Sequence, residues 1–269
     1  MPHPPELQNP RGGFALADLP LEWTVGRFDA FSQIPGVAHM VTTKYALDVD
    51  LIRHDRATAA QLVGLAMGNC KAAWVNQVHG QDVLAVDQPG LAGQADALIT
   101  NTPGLAIFCI SADCPLILLA DRQGRAVGAA HASWRGTVRQ VTARTVRAMC
   151  DAFALRPGEL VAAICPSAGP CCYEVGPDVR DAALAWLEDP ERFFTPHPET
   201  PEKWLLDLWA ANRAQLVAEG LAEENIHISG VCTLCRNDWF PSHRKEADAA
   251  GRFLAAIGRI GPMDSCQTA

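Results

Sequence analysis

The sequence has no apolar run approaching the ~20 residues that a membrane-spanning helix needs, so no membrane partner is expected. It has no basic cluster either. Its 22 lysines and arginines stand against 30 acidic residues, giving a net charge of −8 and a pI near 5.4. Nucleic acids, which draw on basic patches, are therefore not expected as partners, although a few local arginines suffice for a small anion. The chain lacks a basic start followed by an apolar core. Residues 1–22, rich in proline and polar groups, are expected to form a flexible N-terminal tail rather than a signal peptide. No His-Glu-x-x-His motif and no His-x-His pair occurs. The second absence argues against a four-copper oxidase, whose centres draw heavily on imidazole. Repeats and internal linkers are missing too, so residues 23–269 are expected to fold as one domain.

What is present is ordinary globular composition: 269 residues, 49% hydrophobic and 19% charged, enough for one sizeable core. Ten cysteines without a signal peptide predict a cytoplasmic protein with reduced thiols, most of them small buried hydrophobes. Apolar β-branched runs predict strands over Val37–Lys44, Lys71–Val78, Asp82–Asp87, Ala95–Thr100, Leu105–Ser111, Pro115–Asp121, Arg125–Ala130, Leu160–Cys165, Ile226–Val231 and Gly251–Ile260. Helical spacing predicts helices over Ala57–Met67, Thr137–Phe153, Pro177–Leu187 and Trp204–Glu219, with Asp189–Lys203 a surface loop. Strands outnumber helices and often follow one another directly. The fold class is α+β, with layered mixed β-sheets and flanking helices.

Chemistry-bearing residues gather at the ends of these runs. His79, Cys114 and His131 each stand where a strand meets a loop. One thiolate and two imidazoles are a good zinc set with one position left open. They lie too far apart in sequence for a local zinc-finger pattern. The same atoms also permit Cys114 to act as a nucleophile with His131 as base and Asp113 orienting the ring. Arg135 and Gly136 precede the helix expected at Thr137, a place suited to phosphate or carboxylate. Cys232-Thr233-Leu234-Cys235 has redox or zinc spacing, but Cys171-Cys172 is adjacent and looks unsuited to completing a four-thiolate site. Glu174 is a candidate capping or catalytic carboxylate. Ser242-His243-Arg244-Lys245 is a candidate pocket wall, and Asp207 a candidate cap.

Taken together, the motifs resemble one family. Asn76-Gln77-Val78-His79-Gly80, Ala95-Asp96-Ala97-Leu98-Ile99-Thr100, Ser111-Ala112-Asp113-Cys114-Pro115 and His131-Ala132-Ser133-Trp134-Arg135-Gly136-Thr137 occur in its order. Cys172-Tyr173-Glu174-Val175-Gly176 and Phe240-Pro241-Ser242-His243-Arg244 continue it. The chain resembles the bacterial laccase-domain family, also called peptidoglycan editing factor, polyphenol oxidase or multifunctional purine nucleoside phosphorylase. The resemblance implies a single laccase-like catalytic domain akin to cysteine-hydrolase-like toxins. It implies one zinc on His79, Cys114 and His131, with copper as an alternative metal. Cys114, Asp113 and Glu174 would be catalytic, and Gln77, Arg135, Ser242 and Arg244 would bind substrate. The implied activities are phosphorolysis of adenosine, inosine, guanosine and methylthioadenosine, and adenosine deamination. Copper-dependent phenol oxidation and hydrolytic editing of a peptidoglycan precursor are the alternatives. A monomer or small homo-oligomer is expected. Three departures stand out: Ser133 replaces the usual glycine before the tryptophan, Tyr45-Ala46-Leu47 replaces a glycine pair, and the section that follows is short.

Overall fold

Leu105–Ser111 and Leu116–Asp121 are apolar at nearly every position, which demands burial on both faces. A computed structural model, describing residues 13–19, 22–187 and 189–261, shows how that is met. A seven-stranded sheet contains β1 (Phe14–Asp18), β2 (Thr24–Phe28), β3 (Val37–Thr42), β4 (Lys71–Asn76), β6 (Gly90–Gln94), β8 (Leu105–Ser111) and β16 (Phe253–Arg259). Its order is β1-β2-β3-β16-β8-β4-β6, antiparallel as far as β8 and parallel beyond. A six-stranded sheet contains β5 (Val83–Ala85), β7 (Ala97–Thr100), β9 (Leu116–Asp121), β10 (Val127–His131), β11 (Leu160–Ile164) and β15 (Ile226–Ile228), ordered β15-β11-β9-β10-β7-β5. A small antiparallel sheet joins β12 (Glu174–Val175), β13 (Phe194–Pro196) and β14 (Trp204–Leu206).

Successive strand residues point to opposite faces, and that alternation divides the core. Leu105, Ile107 and Cys109 of β8 meet Leu116, Leu118 and Ala120 of β9 between the two large sheets. On the outer face of the first sheet, Ala106, Phe108 and Ile110 pack with Ala59, Ala60 and Val63 of α3 (Arg56–Ala66). Ile117 and Leu119 face the other way, onto Val141, Val146 and Met149 of α5 (Val141–Phe153) and Leu216 of α7 (Leu208–Ala218). The result is a helix–sheet–sheet–helix stack, the layered α+β architecture expected. Truncating one such buried leucine typically costs about 2–5 kcal/mol. No helix among the described residues is long and apolar enough to cross a membrane.

Several expectations are corrected. Residues 1–12 of the expected tail lie outside the described residues, but Phe14–Asp18 pairs with β2 as an edge strand. The single helix expected over Thr137–Phe153 is two helices, α4 (Trp134–Val138) and α5. They are split at Gln140, whose φ is +64°, and α4 starts three residues early because Ser133 caps it. The helix expected from Trp204 begins only at Leu208. Asp207 accepts the Ala210 N–H at 2.9 Å as its cap, so Trp204–Leu206 is free to form β14. Part of the expected Asp189–Lys203 loop is β13, which β14 recruits. Gln88-Pro89-Gly90 has turn composition, since glycine and proline disfavour strands, yet Gly90 opens β6 at the sheet edge. The short helices α1 (Asp29–Ser32), α2 (Val49–His54) and α8 (His243–Glu246) were unforeseen, while α6 (Pro177–Trp186) matches expectation.

Gly64 in α3 reverses a common rule. Glycine to alanine in a helix normally gains about 1 kcal/mol. Here a Cβ would lie 2.0 Å from the backbone oxygen of Cys70, so the helix must move off the sheet. Overpacking of that kind costs about 1–3 kcal/mol. Gly64→Ala is therefore expected to lower the melting temperature by several degrees in thermal denaturation, and a rise would refute the close packing described.

His39 gives the fold an acid sensitivity. The buried ring accepts the Phe28 N–H at 2.8 Å. Burial, helped by the Arg27 charge, holds its pKa at about 3, below the ordinary 6.5. The folded state keeps it neutral while the unfolded state protonates. Its stability contribution is complete above pH 6.5 and falls as pH drops toward 3, by up to about 1.4 kcal/mol per pH unit. Urea titrations at pH 7 and pH 4.5 should show this loss, and His39→Gln should flatten it. An unchanged slope in the variant would assign the sensitivity elsewhere.

Candidate metal centre

The chain passes from the first sheet to the second through Ala112–Pro115, between β8 and β9. Cys114 therefore stands at the seam of the sandwich. β10 runs beside β9, with its last residue, His131, opposite Leu116. β4, beside β8, ends at Asn76, and the following loop carries His79. Three strand ends from two sheets thus bring His79, Cys114 and His131 together, with their ligand atoms within 4.8 Å of one another.

Asp96 organises this cluster. It is fully buried just before β7. Its carboxylate accepts the backbone N–H groups of Val78 at 3.1 Å, His79 at 3.0 Å and Gly80 at 2.6 Å. It also meets His131 Nδ1 at 2.8 Å, which leaves Nε2 of that ring for a ligand. His79 has φ +58°, a conformation a β-branched residue would resist and one that turns consecutive N–H groups onto a single carboxylate.

The electrostatics follow from these contacts. Burial raises the Asp96 carboxyl, but the His131 ring and the loop N–H groups outweigh it and hold the pKa below the ordinary range. Burial lowers the His131 imidazole, yet its bonds to Asp96 and Cys114 push it up to about 9. Burial likewise raises the Cys114 thiol, and hydrogen bonds from His131 and His79 bring it down to about 6. Without an ion the pair is thiolate and imidazolium at neutral pH. An incoming cation must displace the His131 proton.

The other expected site residues are placed as follows. Asp113 adjoins Cys114 with φ +89°. Its Oδ1 accepts from Thr233 at 2.6 Å and its Oδ2 from the Arg244 N–H at 2.8 Å, so both oxygens are engaged. Gln77 clamps β8, accepting the Ile110 N–H at 2.8 Å and donating to the Ile110 carbonyl at 2.9 Å. Its side chain braces the start of the His79 loop. Glu174 turns toward His197 and Lys203, each 3.5 Å away. Ser242 is buried and caps α8. Arg244 lies over the Tyr173 ring, 4.9 Å from its centroid, and donates to the Glu174 carbonyl. Arg135 is exposed and stacks on Trp134 at 4.3 Å. The helix start expected at Thr137 is instead capped by Ser133, whose hydroxyl accepts the Gly136 N–H at 3.1 Å, so the departure from glycine supplies a cap.

Four residues near the site went unassigned in the sequence. Asp96 had a signal: an aspartate inside the run Ala95–Thr100 must be buried, and a buried charge needs partners. Thr233 supports Asp113 from a distant loop. Tyr173 is buried, and burial and the negative charges of Cys114 and Asp113 raise its pKa, so the phenol stays neutral. Arg252 feels Cys114 and Asp113 as well, though burial lowers its pKa overall. Arg252 carries no local pattern that marks it, and Tyr173 is marked only by lying in the motif Cys172-Tyr173-Glu174-Val175-Gly176.

Known proteins are similar to this chain in sequence and fold. Residues 41–260 match the family described as multi-copper polyphenol oxidoreductase laccase. The purine nucleoside phosphorylase YlmD of Geobacillus stearothermophilus is 36% identical over 199 residues, covering 69% of this chain and 72% of its own. A purine nucleoside phosphorylase of Deinococcus radiodurans is 38% identical over 212 residues, 77% of each chain. The crystal structure of YlmD from Geobacillus stearothermophilus superposes with a TM-score of 0.70 at 27% identity, covering 95% of this chain and all of that one.

Proposed function

Because this chain belongs to the multi-copper polyphenol oxidoreductase laccase family, we propose that it is a zinc-dependent purine nucleoside phosphorylase of the cytoplasm that also deaminates adenosine. The observation that carries the reading is the cluster of one thiolate and two imidazoles, oriented by a buried carboxylate, in a chain similar to proteins named for that reaction. His79, Cys114 and His131 would hold the ion, and their donor chemistry fits zinc with an open position. When bound, zinc supplies Lewis acidity toward an oxygen of water or substrate.

The chain's own groups do the rest. In phosphorolysis a phosphate oxygen forms a bond to the ribose carbon as the bond from that carbon to the purine nitrogen breaks, and the purine leaves with a proton. Arg244, held by Tyr173 and Glu174, and Arg135, held by Trp134, present guanidinium groups to the phosphate. Asp113 acts as a positioning residue, since its oxygens hold Thr233 and Arg244 rather than face a reacting atom. The Tyr173 phenol, kept neutral by burial and by the charge of Cys114, can donate a hydrogen bond. Asp96 fixes the His131 ring.

Two other readings are tested alongside. For copper oxidation, the five further histidines among the described residues, His39, His54, His197, His227 and His243, join no such cluster, which favours one ion over several. For a cysteine hydrolase, the thiolate of Cys114 beside His131 is competent chemistry in the metal-free chain. Protein of measured metal content should be given adenosine, inosine, guanosine or methylthioadenosine with and without phosphate, and in parallel a phenol and a muramyl peptide precursor. Free base should appear only with phosphate and metal together. Base release without phosphate, or turnover of the phenol alone, would reject the proposal.

A further inference from the structure

The Cys-x-x-Cys pair and the adjacent cysteines lie sixty or more residues apart in the chain, but the fold brings them together. Cys171, Cys172, Cys232 and Cys235 have all four sulfurs within 4.8 Å of one another. Cys235 Sγ lies 3.4 Å from Cys172 Sγ and 3.7 Å from Cys171 Sγ. These separations are far longer than the ~2 Å of a disulfide bond. They match the ~3.8 Å edge of a tetrahedron whose centre lies ~2.3 Å from each sulfur, the zinc–thiolate distance. A cluster of several irons would spread its outer thiolates over more than one ion and hold them further apart.

The local backbone explains how neighbouring cysteines can share one ion. In an extended strand Cys171 and Cys172 would point to opposite faces. Here they lie in a turn closed by the Cys172 N–H on the Gly169 carbonyl at 3.0 Å, which lets both sulfurs face one side. Cys232 and Cys235 flank a second turn, closed by the Arg236 N–H on the Cys232 carbonyl at 2.8 Å. Residues three apart in such a turn share a face. Gly169 lets the two turns approach, because a Cβ there would sit 3.1 Å from the Cys232 Cβ and 2.8 Å from Trp209. Its N–H donates to Cys232 Sγ at 3.3 Å. The N–H groups of Leu234 and Cys235 also reach that sulfur. Backbone N–H groups aimed at a sulfur favour its anionic form, the form a metal takes.

We propose that Cys171, Cys172, Cys232 and Cys235 form a mononuclear tetrathiolate site for zinc or a zinc-like divalent ion, separate from the His79–Cys114–His131 cluster. Binding releases to solvent the proton of each thiol not already ionised. The site ties the loop after β11 to the loop after β15. It does so beside functional neighbours: Tyr173 follows Cys172, and Thr233, inside the Cys-x-x-Cys turn, donates to Asp113. The proposal does not depend on the reaction assigned above.

The test uses the full chain carrying Cys114→Ala, which removes the other cluster's only sulfur. This variant should retain a single zinc per chain. After exchange for cobalt it should show an intense sulfur-to-cobalt charge-transfer band, and chelator should lower its melting temperature. Adding Cys232→Ser or Cys235→Ser should abolish both the band and the retained ion. In otherwise wild-type protein, Cys232→Ser should lower the metal content by one ion per chain, which guards against a Cys114→Ala chain that does not fold. Three results would overturn the proposal: no zinc in folded Cys114→Ala, an unchanged metal content in Cys232→Ser, or a disulfide within the cluster found by mass spectrometry in place of the ion.

Discussion

Cys114→Ala is expected to reduce phosphorolysis about a thousandfold or more, equivalent to about 4 kcal/mol in the barrier. It should also remove one ion per chain. Cys114 contributes the only anionic donor of its cluster, and its thiolate, together with the Asp96 carboxylate, balances the His131 imidazolium. Without the sulfur only imidazole nitrogens remain, a much weaker set for a cation that also has to displace the His131 proton. Metal content and phosphate-dependent base release should therefore fall together. The same residue separates the proposed mechanism from a cysteine hydrolase. With its pKa at about 6, Cys114 is largely thiolate at pH 7 in metal-stripped protein. It should then react with iodoacetamide ahead of Cys172, whose thiol burial pushes up to about 11. Bound metal should protect Cys114 from alkylation. Full nucleoside turnover in excess chelator would contradict a metal-dependent mechanism.

Asp96→Asn should cost almost as much by another route. The buried carboxylate receives three backbone N–H groups and one ring nitrogen. Asparagine keeps one acceptor oxygen and sets an N–H2 group against donors. A buried donor left unpaired costs about 1–3 kcal/mol, and the loop carrying His79 loses its anchor. Losing the partner of a ligating histidine typically lowers metal affinity about 10–100-fold. Competition with a zinc-binding dye should show that loss, and the melting temperature should drop. Asp96→Glu should recover little, because the longer side chain cannot keep all four contacts. Wild-type zinc affinity in Asp96→Asn would remove Asp96 from the site's design.

Much of the architecture was already readable as period and punctuation. The fully apolar runs Leu105–Ser111 and Leu116–Asp121 required two-sided burial, and the layered sandwich supplies it. The errors arose where a local signal competed with a partner distant in sequence. Trp204–Leu206 has helical neighbours, yet it pairs with β12 and β13. The run Thr137–Phe153 has one amphipathic pattern, yet Ser133 starts a helix ahead of it and Gln140 divides it. Gln77 and Glu174 sit in motifs that resemble a binding site, but their side chains are occupied by Ile110 and by His197 with Lys203.

By itself, the order of residues determined the layered class and the positions of strand ends, because period is a local property, and the motifs' resemblance to a family singled out His79, Cys114 and His131 as candidate donors. Only the tertiary structure decided that Asp96 would lock one ring and one loop together, that Asp113 would spend its carboxylate on Thr233 and Arg244, and that four cysteines would meet. Each of these depends on through-space contacts across 16 to more than 100 residues of chain, and a distance of that kind has no signature in the spacing of the letters.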